Sequence, residues 1–146
     1  MATIKRILEK KGHDLWSIGP KETVYSALEL LAEKDIGALP VVEDGKVIGM
    51  FTEREYARRV ALKGKTSKKS KVREMMRGTL YFITPEKNIS EAMALMSELK
   101  IRYLLVMDGD KIDGVISIGD VVDRIIEEQK IKIQDLESYI MGSSYA

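Results

Sequence analysis

The chain has 146 residues, 45% of them hydrophobic and 32% charged, with 24 Lys plus Arg against 23 Asp plus Glu. That is enough apolar material for one compact domain or two small modules, too much for a disordered chain, and too little length for a large multidomain enzyme. A net charge of +1 gives no bulk attraction to nucleic acid or an anionic membrane, and the absence of Cys removes disulfides, thiolate nucleophiles and Cys-ligated zinc.

In chain order, the first segment carries Ile4, Ile7 and Leu8 at helical spacing. It lacks the apolar core of a secretory signal, and no later apolar run approaches the ~20 residues that span a bilayer, so a cytoplasmic protein without membrane contact is expected. A short apolar stretch over 15–18 ends at a proline. A helix then places Val24, Ala27, Leu28 and Leu31 on one stripe. Two β-rich runs, 38–42 and 46–52, flank Glu43-Asp44-Gly45, whose Asp-Gly pair is a hairpin signal, and a second helix begins at Glu53. Residues 64–71 are polar and basic and read as a linker.

The same unit then repeats at a shift of 65 positions without a gap, matching Ile18 with Ile83, Pro20 with Pro85, Leu39 with Leu104, Val41 with Val106 and Gly49 with Gly114. The second helical stripe is Ile89, Ala92, Met93 and Met96, with Asn88 and Glu91 at capping-box spacing. Val72, Met75 and Met76 precede this copy as Ile4, Ile7 and Leu8 precede the first, but at a shift of 68. The expected fold is α/β of the α+β kind, two β-α-β-β-α repeats divided as 1–66 and 67–146. Each division includes the segment in front of its repeat. Met75, Met76, Met93 and Met96 are expected core fillers.

The final helix is longer than its counterpart. Val122, Ile126, Gln129, Ile133, Leu136 and Ile140 follow a 4, 3, 4, 3, 4 spacing, a narrow seam that either packs on the chain's own core or forms a dimer contact.

The segments with chemistry are the ends of the last strand in each copy, Gly49-Met50-Phe51-Thr52-Glu53-Arg54-Glu55 and Gly114-Val115-Ile116-Ser117-Ile118-Gly119-Asp120. Each sets a hydroxyl where a strand hands over to a helix, so that the first backbone N–H groups and the helix dipole face an incoming anion. A carboxylate three residues on accepts hydrogen bonds from a ribose diol. The same spacing is also a capping box that needs no ligand. Its recurrence in both copies, each after a glycine that permits close approach, favours a nucleoside-phosphate grip. Glu55 is long enough to close the box on its own backbone, whereas Asp120 is expected to leave its oxygens freer. Arg54, in the first turn of its helix, is a candidate polyphosphate contact.

These units resemble CBS domains, through Ile36-Gly37-Ala38-Leu39-Pro40-Val41-Val42, the segment from Gly49 through Arg58, Lys63-Gly64-Lys65-Thr66-Ser67, Ile101-Arg102-Tyr103-Leu104 and Val115-Ile116-Ser117-Ile118-Gly119-Asp120-Val121-Val122. The resemblance covers nearly the whole chain. It implies a pseudosymmetric pair packed through its sheets, commonly a homodimer, binding AMP, ADP, ATP, NAD(H) or S-adenosyl compounds between the repeats. Carried over by position, Ser117 meets phosphate with Ile118 and Gly119 beside it, and Asp120 meets ribose. Ile83, Thr84 and Pro85 meet adenine, while Arg102 and Tyr103, followed by Leu104, flank the phosphates. In the first copy Thr52 and Glu55 hold the corresponding places, with Ile18, Gly19, Gly37 and Ala38 around the base. Two positions depart from the family pattern, Glu55 for the usual Asp and Tyr103 where His is frequent.

The implied function is a regulatory adenine-nucleotide sensor with no catalytic residues, no catalytic cofactor and no metal, controlling an unidentified protein. Two rivals stand beside it: a dimeric adaptor with vestigial clefts, and a nucleic-acid-binding regulator using the basic linker, although no aromatic interleaves that linker. Gly64-Lys65-Thr66 lacks the upstream glycine of a P-loop, since Arg59 stands there. His13, the only imidazole, reads as a surface loop residue.

Overall fold

The computed structural model describes residues 2–12 and 14–145, the last four of these by backbone alone. The expectation for His13 therefore lies outside the described residues. The chain divides into two compact units, one of residues 14–82 and the other of residues 1–13 with 83–146.

In the first unit, α2 (Val24–Lys34) follows Thr23, whose hydroxyl accepts from Ser26 N at 3.1 Å, and buries Val24, Ala27 and Leu31. The helix stops at Asp35, in the left-handed region at φ 52°, while Ile36 N donates back to Leu31 O. Strands β1 (Ala38–Glu43) and β2 (Lys46–Thr52) pair antiparallel, with a bulge between Val41 and Val42. Asp44 and Gly45 both have positive φ, 51° and 78°, as a type I′ turn demands. The strand expected over 15–18 reduces to one parallel bridge, Ile18 to Val41; continuing it back to residue 16 would need an N–H from Pro40, which has none. After β2, α3 (Glu53–Glu55) opens at once into a π-helical turn over Tyr56–Ala61. Phe51, Leu39, Val41 and Val60 join the α2 stripe in one core.

The second unit repeats this register 65 residues on. Within it, α5 (Ile89–Leu99) starts on a complete capping box, with Glu91 N donating to Asn88 Oδ1 at 3.0 Å and Asn88 N to Glu91 Oε2 at 2.9 Å. It ends at Lys100, φ 56°, as α2 ends at Asp35. Strands β3 (Phe82–Ile83), β4 (Tyr103–Asp108) and β5 (Lys111–Ser117) form a sheet in that order, with the bulge again one residue past the middle of β4. Here the turn reads Gly109-Asp110, and only Gly109 has positive φ, the type II′ pattern that the reversed residue order calls for. Because both halves of the α5 box are made, Asn88→Ala should lower stability by about 1 kcal/mol, measurable by chemical denaturation, with no change in fold.

The segment preceding each repeat belongs to the other unit. Helix α1 (Ile4–Lys11) sits with the second repeat: Ile4 N and Lys5 N donate to Lys87 O and Pro85 O, and Ile89 N returns to Ala2 O. Helix α4 (Val72–Met75) makes the equivalent set with the first, Val72 N to Glu22 O, Arg73 N to Pro20 O and Val24 N to Ser70 O. The division at 66/67 drawn from sequence order thus differs from the compact units: residues 2–12 pack with the second repeat and residues 67–82 with the first. Buried Ile4, Ile7 and Leu8 are the physical reason, since their stripe is covered there. Met75 and Met96 are buried and Met76 and Met93 half-buried, as core fillers should be.

Helix α6 (Ile118–Tyr145) turns Val121 into the core, but Val122, Ile126, Ile133, Leu136 and Ile140 are exposed. Of the two readings of the seam, packing on the chain's own core is therefore not what the fold adopts. Among the described residues, no helix is long and apolar enough to cross a membrane.

Candidate nucleotide site

Both strand-to-helix junctions are built alike. Thr52 pairs with Ala38 at the end of β2, and Ser117 with Tyr103 at the end of β5. Beyond each, the first helical N–H is tied to the residue preceding the neighbouring strand, Glu53 N to Gly37 O at 3.2 Å and Ile118 N to Arg102 O at 2.8 Å. Antiparallel pairing therefore brings Arg102, Tyr103, Ser117, Ile118, Gly119 and Asp120 together in one unit. It likewise brings Gly37, Ala38, Thr52, Arg54 and Glu55 together in the other.

The carboxylates behave in the reverse of the way their lengths suggested. Asp120 closes the reciprocal box: Ser117 N donates to Asp120 Oδ2 at 2.8 Å and Asp120 N to Ser117 Oγ at 3.1 Å. The shorter side chain fits because α6 begins with a regular turn, directly above Ser117. Glu55 instead accepts from the Thr52 hydroxyl, whose oxygen takes Arg54 N and Glu55 N at 3.2 and 3.4 Å. The extra methylene carries its carboxylate past the main-chain N–H and onto the hydroxyl. The expectation of a closed box at Glu55 and a free carboxylate at Asp120 is corrected on both counts.

Accessibility still separates the two sites. Thr52 and Glu55 are each only 6% exposed and satisfy one another. The Asp120 side chain is 23% exposed, and Lys11 Nζ lies 2.8 Å from Oδ2 while also donating to Val115 O. Both the box and the lysine use Oδ2. Among the described residues no hydrogen bond engages Oδ1. Ion pairing and the box fix the plane of this carboxylate and leave one oxygen to an incoming donor. A hollow of about 250 Å³ beside it is lined by Ile7, Lys10, Lys11, Asp123, Arg124 and Glu127. There the Lys10 ammonium, hydrogen-bonded to Glu127, holds that carboxyl below its ordinary range.

Other sequence-assigned residues lie further away. Ile83 is buried next to β4, Leu104 is wholly buried and offers only its backbone, and Ile18 is half-buried beside Val41. Pro85 lines a different hollow, of about 640 Å³, with Lys5, Asp108 and Lys111, and its carbonyl is taken by Lys5 N. Pro85 is not among the residues that line the hollow beside Asp120. Thr84 accepts the turn bond from Lys87 N.

The glycines before the grip serve packing. A Cβ on Gly49 would meet Met76 Sδ at 2.5 Å and Arg77 O at 2.9 Å; on Gly114 it would meet Leu8 Cδ2 at 2.8 Å. The close approach they permit is by the docked flanking segment, where the sequence reading had a ligand. Sequence reasoning also missed Lys11, whose only signal was a basic residue ending α1. Among the described residues no group of three or more His, Cys, Asp or Glu is placed to hold a metal ion.

The CBS domain model matches residues 4–62 and 72–127. The CBS domain-containing protein CBSX3, mitochondrial, of Arabidopsis thaliana is 35% identical over 96% of this chain and 72% of its own length; its compartment differs from the cytoplasm expected from composition. A solved structure of a protein with CBS domains from Burkholderia ambifaria superposes with a TM-score of 0.84 at 40% identity, covering 88% of this chain and 96% of that one. The CBS domain pair of protein MJ0100, solved in complex with methylthioadenosine and S-adenosyl-L-methionine, shares the fold at 21% identity and a TM-score of 0.75, over 88% of this chain and 98% of that one. The repeated register, the matching junctions and these similarities establish that the chain belongs to the CBS domain family and carries two such domains.

Proposed function

We propose that the chain is a regulatory module that binds an adenine nucleotide at the second repeat, with Asp120 accepting the ribose diol, the Ser117 hydroxyl and Gly119 N at the start of α6 facing phosphate, and no catalytic chemistry. The observation that carries this reading is the Asp120 carboxylate, held in place through Oδ2 by Ser117 N and Lys11 with Oδ1 unengaged at the strand-to-helix junction. The adenosyl ligands held by the MJ0100 pair support adenosine as the common part of the ligand. AMP, ATP and NAD(H) share it.

The first repeat is a weaker site on the same grounds. Its hydroxyl and carboxylate are buried against one another, and a ligand must first break that bond. Lys11 Nζ donates to the Asp120 carboxylate, which again favours the second site for an anionic ligand.

Thermal denaturation with millimolar AMP, ATP, NAD(H) and S-adenosylmethionine tests the proposal. A ligand at ~100 times its dissociation constant stabilises by about 2.7 kcal/mol, and at least one of the four should raise the melting temperature by several degrees. If none does, the sensor reading fails and the adaptor reading replaces it.

A further inference from the structure

We infer that α6 joins a second copy of this chain as a parallel two-stranded coiled coil. Every residue over 131–140 is exposed, among them the seam residues Ile133, Leu136 and Ile140 at 53%, 55% and 62%. Solvated isoleucine and leucine on one stripe of a helix are a standing cost that a partner removes.

The occupant and its direction follow from the residues around the stripe. In heptad terms Ile126, Ile133 and Ile140 take position a, and Val122, Gln129 and Leu136 take position d. Isoleucine at each of these a positions, with Leu136 at one d position, favours two strands. In a parallel pair Gln129 faces its own copy, amide to amide. Antiparallel pairing that aligns the same seam sets residue 126 against 136 and Gln129 against Ile133, leaving a polar amide in an apolar layer.

The flanking charges make the same choice. A parallel pair sets Lys132, at g, against Glu137, at e of the partner's next heptad, and does so twice by symmetry. The antiparallel alignment sets Lys130 against Lys130, Lys132 against Lys132 and Asp123 against Glu137, all like charges. A self-complementary seam and a self-complementary charge pattern point to a copy of the same chain.

Because the chain has no Cys, orientation is read directly by single introduced thiols. Sedimentation should give a dimer at micromolar concentration, and Leu136→Cys should cross-link to itself on mild oxidation. A mixture of Ile126→Cys and Leu136→Cys chains should give 126–126 and 136–136 links, with no 126–136 link. Ile133→Asp with Leu136→Asp should weaken dimerisation by on the order of a hundredfold, without lowering the melting temperature of the monomer, since both positions lie outside the packed core.

Lys132→Glu or Glu137→Lys alone should also weaken the dimer, and the two together should restore it. Five positions apart, these side chains do not meet within one helix, so the rescue reads contact between chains. A wild-type monomer, a trimer or tetramer, a predominant 126–136 link, a dimer untouched by the double Asp change, or failure of the charge swap to restore dimerisation would each overturn the inference.

Discussion

Gly49→Ala should lower the melting temperature by on the order of 10 °C, while Gly114→Ala, its counterpart in the second repeat, should lower it by only a few degrees. At position 49 the added methyl meets a sulfur at 2.5 Å and the Arg77 carbonyl oxygen at 2.9 Å. The methionine can swing away. The carbonyl cannot, because Met50 N donates to it at 2.9 Å and Arg77 N donates back to Met50 O at 2.8 Å, so that relief would cost the pair of bonds that docks this segment. Overpacking against a fixed backbone costs about 3 kcal/mol, and the ~0.5–1 kcal/mol gained by removing a strand glycine offsets little of it. At position 114 the only close atoms belong to the end of the Leu8 side chain, the nearest at 2.8 Å, and a rotamer change accommodates the methyl for about 1 kcal/mol. Equal losses at the two positions would show that the glycines are not held by what packs on them.

That contrast marks where sequence reading reaches and where it stops. Helix stripes, hairpins and capping boxes are local, and the 65-residue repeat carried them from one copy to the other. Asp44-Gly45 and Gly109-Asp110 even distinguish their turn types by residue order. The exchange of flanking segments was not legible, because Ile4, Ile7 and Leu8 would satisfy the apolar face of either repeat equally well, and only the fold decides which. The 68-residue shift of those segments against 65 for the repeats was the available hint that they form a separate docking element.

The same limit appears at the site. Sequence brought Ser117 and Asp120, and Thr52 and Glu55, to matching junctions, since antiparallel register follows from a two-residue turn. It reversed the roles of the two carboxylates, because one methylene was weighed against the helix without the π-helical turn that follows Glu55 or the lysine that α1 delivers to Asp120. Pro85 was assigned by position in a resemblance, and which hollow it lines is a matter of three dimensions.

Asp120→Ala should weaken AMP binding roughly ten- to hundredfold, the loss of one charge-assisted hydrogen bond to ligand at about 1.5–3 kcal/mol. The same change also removes the box on Ser117 and the Lys11 ion pair, which lowers fold stability by about 1 kcal/mol, so stability and affinity must be read separately. Asp120→Asn does this. Its amide oxygen still accepts from Ser117 N, but the side chain is neutral, and with the oxygen committed to the box the remaining NH₂ donates where the carboxylate accepted. Calorimetry on Asp120→Asn should therefore show most of the affinity loss with most of the stability retained. Glu55→Ala should behave oppositely: it leaves the buried Thr52 hydroxyl without its acceptor, costs about 1–3 kcal/mol of stability, and changes AMP affinity at the second repeat less than twofold. Nucleotide binding that survives Asp120→Asn unchanged but is abolished by Glu55→Ala would move the site to the first repeat.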